Sequence, residues 1–312
     1  MRIAVVTTSY PAFPGDPCGH FVETESRELA DGADVVVLTP GNGGDTRTIE
    51  RGVTVWRLDG GDAFGWPGVA ARVRERPGRL VFAAAWMARA RRQLAALPTF
   101  DRVVAHWAVP SAFPVACTGS RRVPVDVVSH GADVRLLLRL PAVARHAVVG
   151  RILRCASSWR FVSSTLANDL AASLGPRDAA SLREKTCVKP ASIEILPAGE
   201  RSAALRRESG EGPLLVCVGR LVPSKRFERA LDRVAEARAR VVIVGDGPER
   251  GRLESHARAL GLQARFVGKT SREDALAWIG AADALVHASL TEGLSTVVRE
   301  AEVLGVRVIL VD

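Results

Sequence analysis

Short apolar runs alternate with longer stretches of helical period along the whole chain. Ile3–Thr8 is apolar and β-branched, which predicts a buried strand. A polar loop with Pro11, Pro14, Gly15, Pro17 and Gly19 follows, then a helix over about His20–Ala30. Further strands are expected at Asp34–Thr39, Val53–Leu58, Arg102–His106, Val123–Ser129 and Trp159–Ser163. Helices are expected at Leu80–Leu97, about Pro141–Ala156 and Leu166–Leu174. The second half repeats the scheme. Its strands are Ser192–Leu196, Leu214–Gly219, Arg240–Val244, Ala264–Val267, Ala284–Ala288 and Arg307–Val311. Its helices are about Ser224–Ala237, Glu249–Leu260, Arg272–Gly280 and Thr296–Leu304. Continuous apolar strands separated by helices predict parallel sheets covered on both faces. The expected fold is α/β, with two Rossmann-like domains facing across a cleft, residues 1–200 and 201–312. The polar, Gly-rich stretch Pro197–Pro213 reads as the linker.

Composition narrows the class. The 312 residues are 47% hydrophobic and 25% charged, which excludes a largely disordered chain. No apolar run approaches the roughly 20 residues of a membrane span, and MRIAVVTTSYPAFPGD lacks the pattern of a signal peptide. A cytoplasmic protein is expected. Five scattered cysteines with no CxxC pair and no zinc spacing read as reduced thiols.

The net charge is +9, most of it arginine, with only four lysines. That permits an anionic partner, a nucleotide, a lipid head group or nucleic acid; a mutational bias toward Arg and Ala would produce the same balance. Arg72–Arg92 carries seven arginines against Glu75 alone, and six arginines between Asp133 and Asp169 meet no acid. Such helices either present a solvated face or dock on anionic lipid. No nucleic-acid motif accompanies them, and Trp86 among them is expected in the core.

Ligands of open α/β sheets sit beyond the carboxyl ends of strands, so the loops there carry the candidate chemistry. Gly219-Arg220 follows one strand and Lys225 opens the next helix. Two cations flanking a helix start suit a diphosphate; the bland reading is a surface Arg and a surface Lys. Glu292 and Glu300 bracket a loop and helix start that Ser295 or Thr296 would cap. A carboxylate there could take vicinal hydroxyls of a sugar, or simply be solvated. His130 emerges at a strand's carboxyl end, as a catalyst would, and is otherwise a structural histidine; Asp133 beside it reads as a cap. Gly19 at the first helix start could admit a phosphate or form a tight turn. Gly245-Asp-Gly247-Pro-Glu-Arg-Gly251 is GxGxxxG, not the dinucleotide fingerprint, so a dinucleotide cofactor is not expected.

In order and spacing these motifs resemble the family-4 glycosyltransferases, retaining enzymes of the GT-B fold. GRLVPSK, VVIVGDGPER, RFVGKTSRED and EGLSTVVREAEVLGVRVI, with its E-x7-E signature, carry the resemblance in the second half. PAFPGDPCGHFVETESRELA, HWAVPSAF, SHGADV and VSSTLANDL carry it in the first. The resemblance implies that Arg220 and Lys225 neutralise the diphosphate of a UDP- or GDP-sugar. It implies that Glu300 binds the ribose, that the Gly268 segment lines the base pocket, and that Glu292 orients the transferred sugar with the amides of Leu294, Ser295 and Thr296 beside it. His130 would contact the sugar near the reacting carbon, and Gly19 would approach the phosphates. Front-face transfer with retention is implied, with no metal and no other cofactor, onto a glycan or lipid-linked acceptor. The basic stretches allow peripheral contact with an anionic membrane as an alternative to a solvated face, and nucleic acid is not expected as a partner.

The chain departs from the family pattern at Cys18-Gly19, Lys225-Arg226, Gly199-Glu200 and His287-Ala288-Ser289. It stops at Asp312, where family members continue with further strand and helices, so the second domain is expected to be incomplete. The alternative reading is a non-catalytic or weakly active relative that binds nucleotide sugar or a partner chain.

Overall fold

A computed structural model describes residues 1–66, 68–97, 99–118, 123–196, 198–289 and 295–311. The chain divides into two compact units: Met1–Ala12 with Cys18–Ser192, and Phe13–Pro17 with Ile193–Asp312.

The first unit opens with β1 (Arg2–Val6), α1 (His20–Ala30), β2 (Asp34–Gly41), β3 (Thr46–Glu50) and β4 (Val53–Asp59). Next come α2 (Val69–Glu75), α3 (Arg79–Ala96), β5 (Arg102–His106), β6 (Val125–Ser129), α4 (Ala132–Arg139) and α5 (Ala142–Cys155). It closes with β7 (Ala156–Phe161), α6 (Ser164–Ala172), α7 (Pro176–Lys185) and β8 (Thr186–Val188). The strands form one sheet in the order β3-β4-β2-β1-β5-β6-β7-β8. Only β3 runs antiparallel to its neighbour. Ile3–Val6 and Val35–Leu38 are buried, as β-branched runs in a sheet covered on both faces must be. Trp86, Trp159 and Phe161 fill the core, Trp86 with its ring 5.2 Å from that of Phe64.

The second unit holds α8 (Gly199–Glu208), β9 (Leu214–Val218), α9 (Phe227–Glu236), β10 (Arg240–Val244) and α10 (Arg250–Ala259). β11 (Ala264–Gly268), α11 (Arg272–Ala281), β12 (Ala284–His287), α12 (Thr296–Val303) and β13 (Arg307–Leu310) complete it. Its sheet is parallel throughout, in the order β11-β10-β9-β12-β13. Phe227, Ala230, Leu231 and Val234 show why α9 forms: they recur at helical spacing and are all buried. Ser271 caps α11 by accepting from the Asp274 N–H at 3.1 Å.

Several elements differ from expectation. The β3 strand, TRTIE, is exposed along most of its length, so no apolar run marked it. The α2, α4 and α7 helices are short or polar, and β8 has three residues. The expected strand at Ser192–Leu196 does not form. Where a linker was expected, residues 199–208 are helical; only Leu205 of α8 is buried, too little to produce a visible period. The cysteine reading also needs correction. Cys117 and Cys155, 38 residues apart, form a disulfide with Cα atoms at 5.7 Å. Packing of α5 against the segment after β5 brings them together, which no spacing rule could reveal. Cys18, Cys187 and Cys217 are not in disulfides.

The arginines of the two basic stretches are not simply a solvated face. Arg79 is buried, paired with Asp62 at 2.8 Å and Glu75 at 2.7 Å. Arg145 and Arg151 donate to backbone carbonyls, and Arg160 pairs with Glu25. No described helix is long and apolar enough to cross a membrane.

Candidate functional site

In the second unit, β9 has β10 on one side and β12 on the other. The chain's progression across the sheet reverses there, and the carboxyl ends of these parallel strands make the ligand-binding edge expected of such folds. Gly219 and Arg220 leave β9 at that edge, and Arg220 is exposed. Glycines from the next strand hold this loop. Gly219 N–H donates to Val244 O at 2.9 Å, and Leu221 N–H to Asp246 O at 2.9 Å. A Cβ on Gly245 would stand 1.8 Å from Gly219 O, and one on Gly247 2.4 Å from Leu221 O. The Gly-Asp-Gly turn is therefore a close backbone approach that buttresses the Arg220 loop.

Lys225 ends a single 3-10 turn, Pro223–Lys225, rather than opening the helix; α9 starts after Arg226, whose φ is 50°. The lysine still lies at the strand edge, with Cε 3.9 Å from where a Gly219 Cβ would stand. His287, at the end of β12, faces it. Burial, then the Lys225 charge, pushes the His287 pKa down to about 4. The switch point thus gathers Lys225 and a neutral imidazole beside the Arg220 loop. His287 was not anticipated as a site residue; the signal available was an ionisable side chain ending the apolar strand ALVH.

Glu300 lies in α12, only 4% exposed, and pairs with Arg272 of α11. The Arg272 guanidinium also donates to Glu194 O, and its backbone N–H donates to Gly15 O at 2.9 Å. Burial pushes the Glu300 carboxyl above its ordinary range, and Arg272 opposes that shift. The Glu300 carboxylate is thus held by a neighbour the sequence gave no reason to expect. Ser295 occupies the N-cap position of α12 and Thr296 begins the helix, but the Ser295 hydroxyl caps no N–H. Glu292 and Leu294 lie outside the described residues. Gly268 ends β11 at φ 87°, and its carbonyl accepts from Gly245 N–H at 2.9 Å. Beside it Lys269 pairs with the buried Asp16 at 3.3 Å and lies 5.4 Å over the Phe13 ring.

In the first unit the corresponding reversal falls between β1 and β5. Gly19 precedes α1 at φ 70°, and a Cβ there would strike Ser9 O at 2.4 Å, so the position demands glycine. His130 follows β6, and its Nε2 lies 3.0 Å from Nδ1 of His106 at the end of β5. Phe21 and Trp107 pack against its ring, with centroids at 4.8 and 4.9 Å. Burial, His106 and Arg160 hold His130 well below the ordinary histidine range; burial, then Arg160, pushes His106 down to about 3. Both rings are neutral at pH 7. Asp133 does more than cap: it is buried and accepts from Ala108 N–H and Ser129 Oγ, each at 2.7 Å, and from Gly131 N–H at 3.1 Å. It pins the loop after β5 to the loop after β6, and so holds the His130 backbone.

Among the described residues no group of three or more His, Cys, Asp or Glu could hold a metal ion. Residues 202–312 match the family described as glycosyl transferases group 1, and residues 21–183 match the glycosyl transferase 4-like domain. The second match alone spans more than half of the chain. The chain belongs to the GT-B glycosyltransferases. Arg220, Lys225, Gly268 and Glu300 fall within the first match, and His130 within the second.

One relative is a GDP-mannose-dependent alpha-mannosyltransferase of Mycobacterium tuberculosis, 30% identical over 230 residues, 71% of this chain and 58% of the relative. Another is the putative teichuronic acid biosynthesis glycosyltransferase TuaC of Bacillus subtilis, 28% identical over 100% of this chain and 81% of that protein. The chain therefore spans less than two thirds of the first relative's length. The solved structure of Anabaena HepE in complex with UDP-glucose matches with a TM-score of 0.70 at 17% identity, over 99% of this chain and 80% of that one. That likeness concerns the fold.

Proposed function

We propose that the protein moves a sugar from a UDP- or GDP-sugar to a glycan or lipid-linked acceptor of the cell envelope, with retention of configuration and without a metal. The observation that carries this reading is the paired cationic edge of the second unit, Arg220 and Lys225 on a loop locked by Gly245 and Gly247. In the reaction the bond from the anomeric carbon to the diphosphate breaks while the acceptor oxygen bonds to the same face. The acceptor's proton passes to the departing phosphate oxygen. Arg220, Lys225 and the amides of Ser295 and Thr296 stabilise the charge that develops there; preorganised donors and cations of this kind typically contribute about 10²–10³ each in kcat. Glu300 takes the ribose hydroxyls, Gly268 borders the base, Gly19 admits the phosphates, Glu292 orients the transferred sugar and His130 contacts it. The first unit takes the acceptor and the second the donor.

The enzyme works in the cytoplasm against the inner face of the membrane. Leu80, Val81 and Phe82 at the start of α3 are 58%, 71% and 47% exposed, beside the exposed Arg74 and Arg76, which supports docking on anionic lipid.

Thermal unfolding with UDP, GDP, ADP and their sugar conjugates tests the reading. Ligand at 100 Kd should stabilise the chain by about 2.7 kcal/mol. One nucleotide family should raise Tm, and Arg220→Ala and Lys225→Ala should abolish the rise. A cooperatively folded protein that responds to none of them is not a nucleotide-sugar transferase.

A further inference from the structure

His106 stands behind His130 at the end of β5 and is completely buried. The two rings are nearly parallel, with 10° between their planes, and His106 Nδ1 lies 3.0 Å from His130 Nε2. A nitrogen pair this close shares one proton, so one ring donates and the other accepts. Both rings are neutral, held so by burial and by Arg160, which Glu25 pairs in turn. Each ring therefore carries one proton, and two arrangements are open.

The outer nitrogens choose between them. His106 Nε2 is enclosed and meets no hydrogen-bond partner among the described residues. An enclosed N–H without an acceptor is a rarer and costlier state than an acceptor left unsatisfied. The His106 proton therefore sits on Nδ1, pointing at His130. His130 Nε2 then accepts, which leaves the His130 proton on Nδ1. Phe21 and Trp107 both pack against the His130 ring, with centroids at 4.8 and 4.9 Å, which restrains its rotation.

We infer that His106 is a positioning residue that sets the tautomer of His130, donating from Nδ1 to His130 Nε2 and leaving His130 as a hydrogen-bond donor at Nδ1. The functional consequence rests on the proposed transferase reading. His130 meets the transferred sugar as a fixed N–H donor to a sugar oxygen. It is not a general base, because its Nε2 lone pair is occupied and its Nδ1 already bears a proton.

Long-range 1H–15N correlation on histidine-labelled protein at pH 7.5 reads the tautomers directly, with His130 assigned by its loss in His130→Ala. Wild type should show His130 protonated on Nδ1. His106→Phe, which keeps bulk but removes the donor, should move His130 toward the Nε2–H form that a free imidazole prefers. His106→Asn, whose side-chain N–H can replace the Nδ1 donor, should restore the wild-type pattern. In transfer assays His106→Phe should lower kcat about tenfold with donor KM unchanged, and His106→Asn should recover most of it. An Nε2–H tautomer in the wild type overturns the inference, and so does an unchanged His130 spectrum in a folded His106→Phe protein. Should the phenylalanine variant fail to fold, the wild-type spectrum decides alone. The spectrum needs no donor and no turnover, so it stands or falls separately from the transferase reading.

Discussion

Glu300 and Arg272 are separated by 28 residues and meet in the core of the second unit. A buried carboxylate is tolerated only with its partner; removing one member of such a pair costs about 3–5 kcal/mol because it leaves an uncompensated charge. Arg272→Met should therefore destabilise the protein by about 3 kcal/mol in urea unfolding. Arg272→Met with Glu300→Leu should unfold at a midpoint closer to wild type than Arg272→Met alone. In isothermal titration, Glu300→Gln should weaken nucleotide binding, and because it leaves the buried Arg272 without its counter-charge it should also unfold at a lower urea midpoint than wild type. An Arg272→Met protein as stable as wild type would show that the pair does not carry the charge. At this scale the site was half legible. Glu300, Arg220, Lys225 and His130 stand out as polar residues just past apolar strands or in helix starts. Arg272, His287 and His106 do not, because each matters through a partner distant in sequence.

The glycine turn after β10 shows how an element constrains a site. Gly245 and Gly247 each lack room for a Cβ, with backbone oxygens at 1.8 and 2.4 Å, whereas Gly251 in the first turn of α10 faces nothing within 4 Å. Gly245→Ala should lower stability by more than about 2 kcal/mol, through a backbone clash together with its φ of 137°. Gly251→Ala should be neutral or stabilise by up to about 1 kcal/mol. Thermal unfolding of the two variants checks this; a tolerated Gly245→Ala would remove the argument that the turn buttresses the Arg220 loop. The disulfide acts at the same scale. It closes a loop of sequence separation 38, for which chain entropy predicts about 3–4 kcal/mol. Urea unfolding with and without reductant should differ by that amount, and the doubly substituted Cys117→Ser, Cys155→Ser protein should be indifferent to reductant. Identical midpoints would show that the pair carries no stability.

Across the whole molecule, charge and exposed apolar surface coincide at the start of α3. Leu80, Val81 and Phe82 are exposed beside Arg74 and Arg76, while Arg79 and Arg89 are paired with acids of the first unit. The free cationic surface is thus smaller than the arginine count suggests, but it borders an apolar strip. In flotation assays the protein should rise with vesicles containing phosphatidylglycerol at low salt and not with neutral vesicles. Binding should fall on raising salt, which screens surface charge within about 10 Å at 0.1 M. Leu80→Ser with Phe82→Ser should reduce it. No flotation with anionic vesicles at low salt would end the membrane proposal.

The alternation of strand and helix and the parallel sheets were readable from the chain, because burial on both faces of a parallel strand leaves a continuous apolar run. Strands such as Arg102–His106 and Arg240–Val244 form over the residues that pattern predicts. The exposed β3 and the polar α8 left no such trace, since a strand or helix that buries little needs little apolar pattern. Partnership was decided by tertiary structure alone. The Cys117–Cys155 bond, the Arg272–Glu300 pair, the Lys225–His287 approach and the His106–His130 contact all join residues from different segments of the chain. Sequence patterning specifies which face of each element turns inward. Which side chains meet there depends on how the elements pack, and that packing decides which buried polar groups are paired.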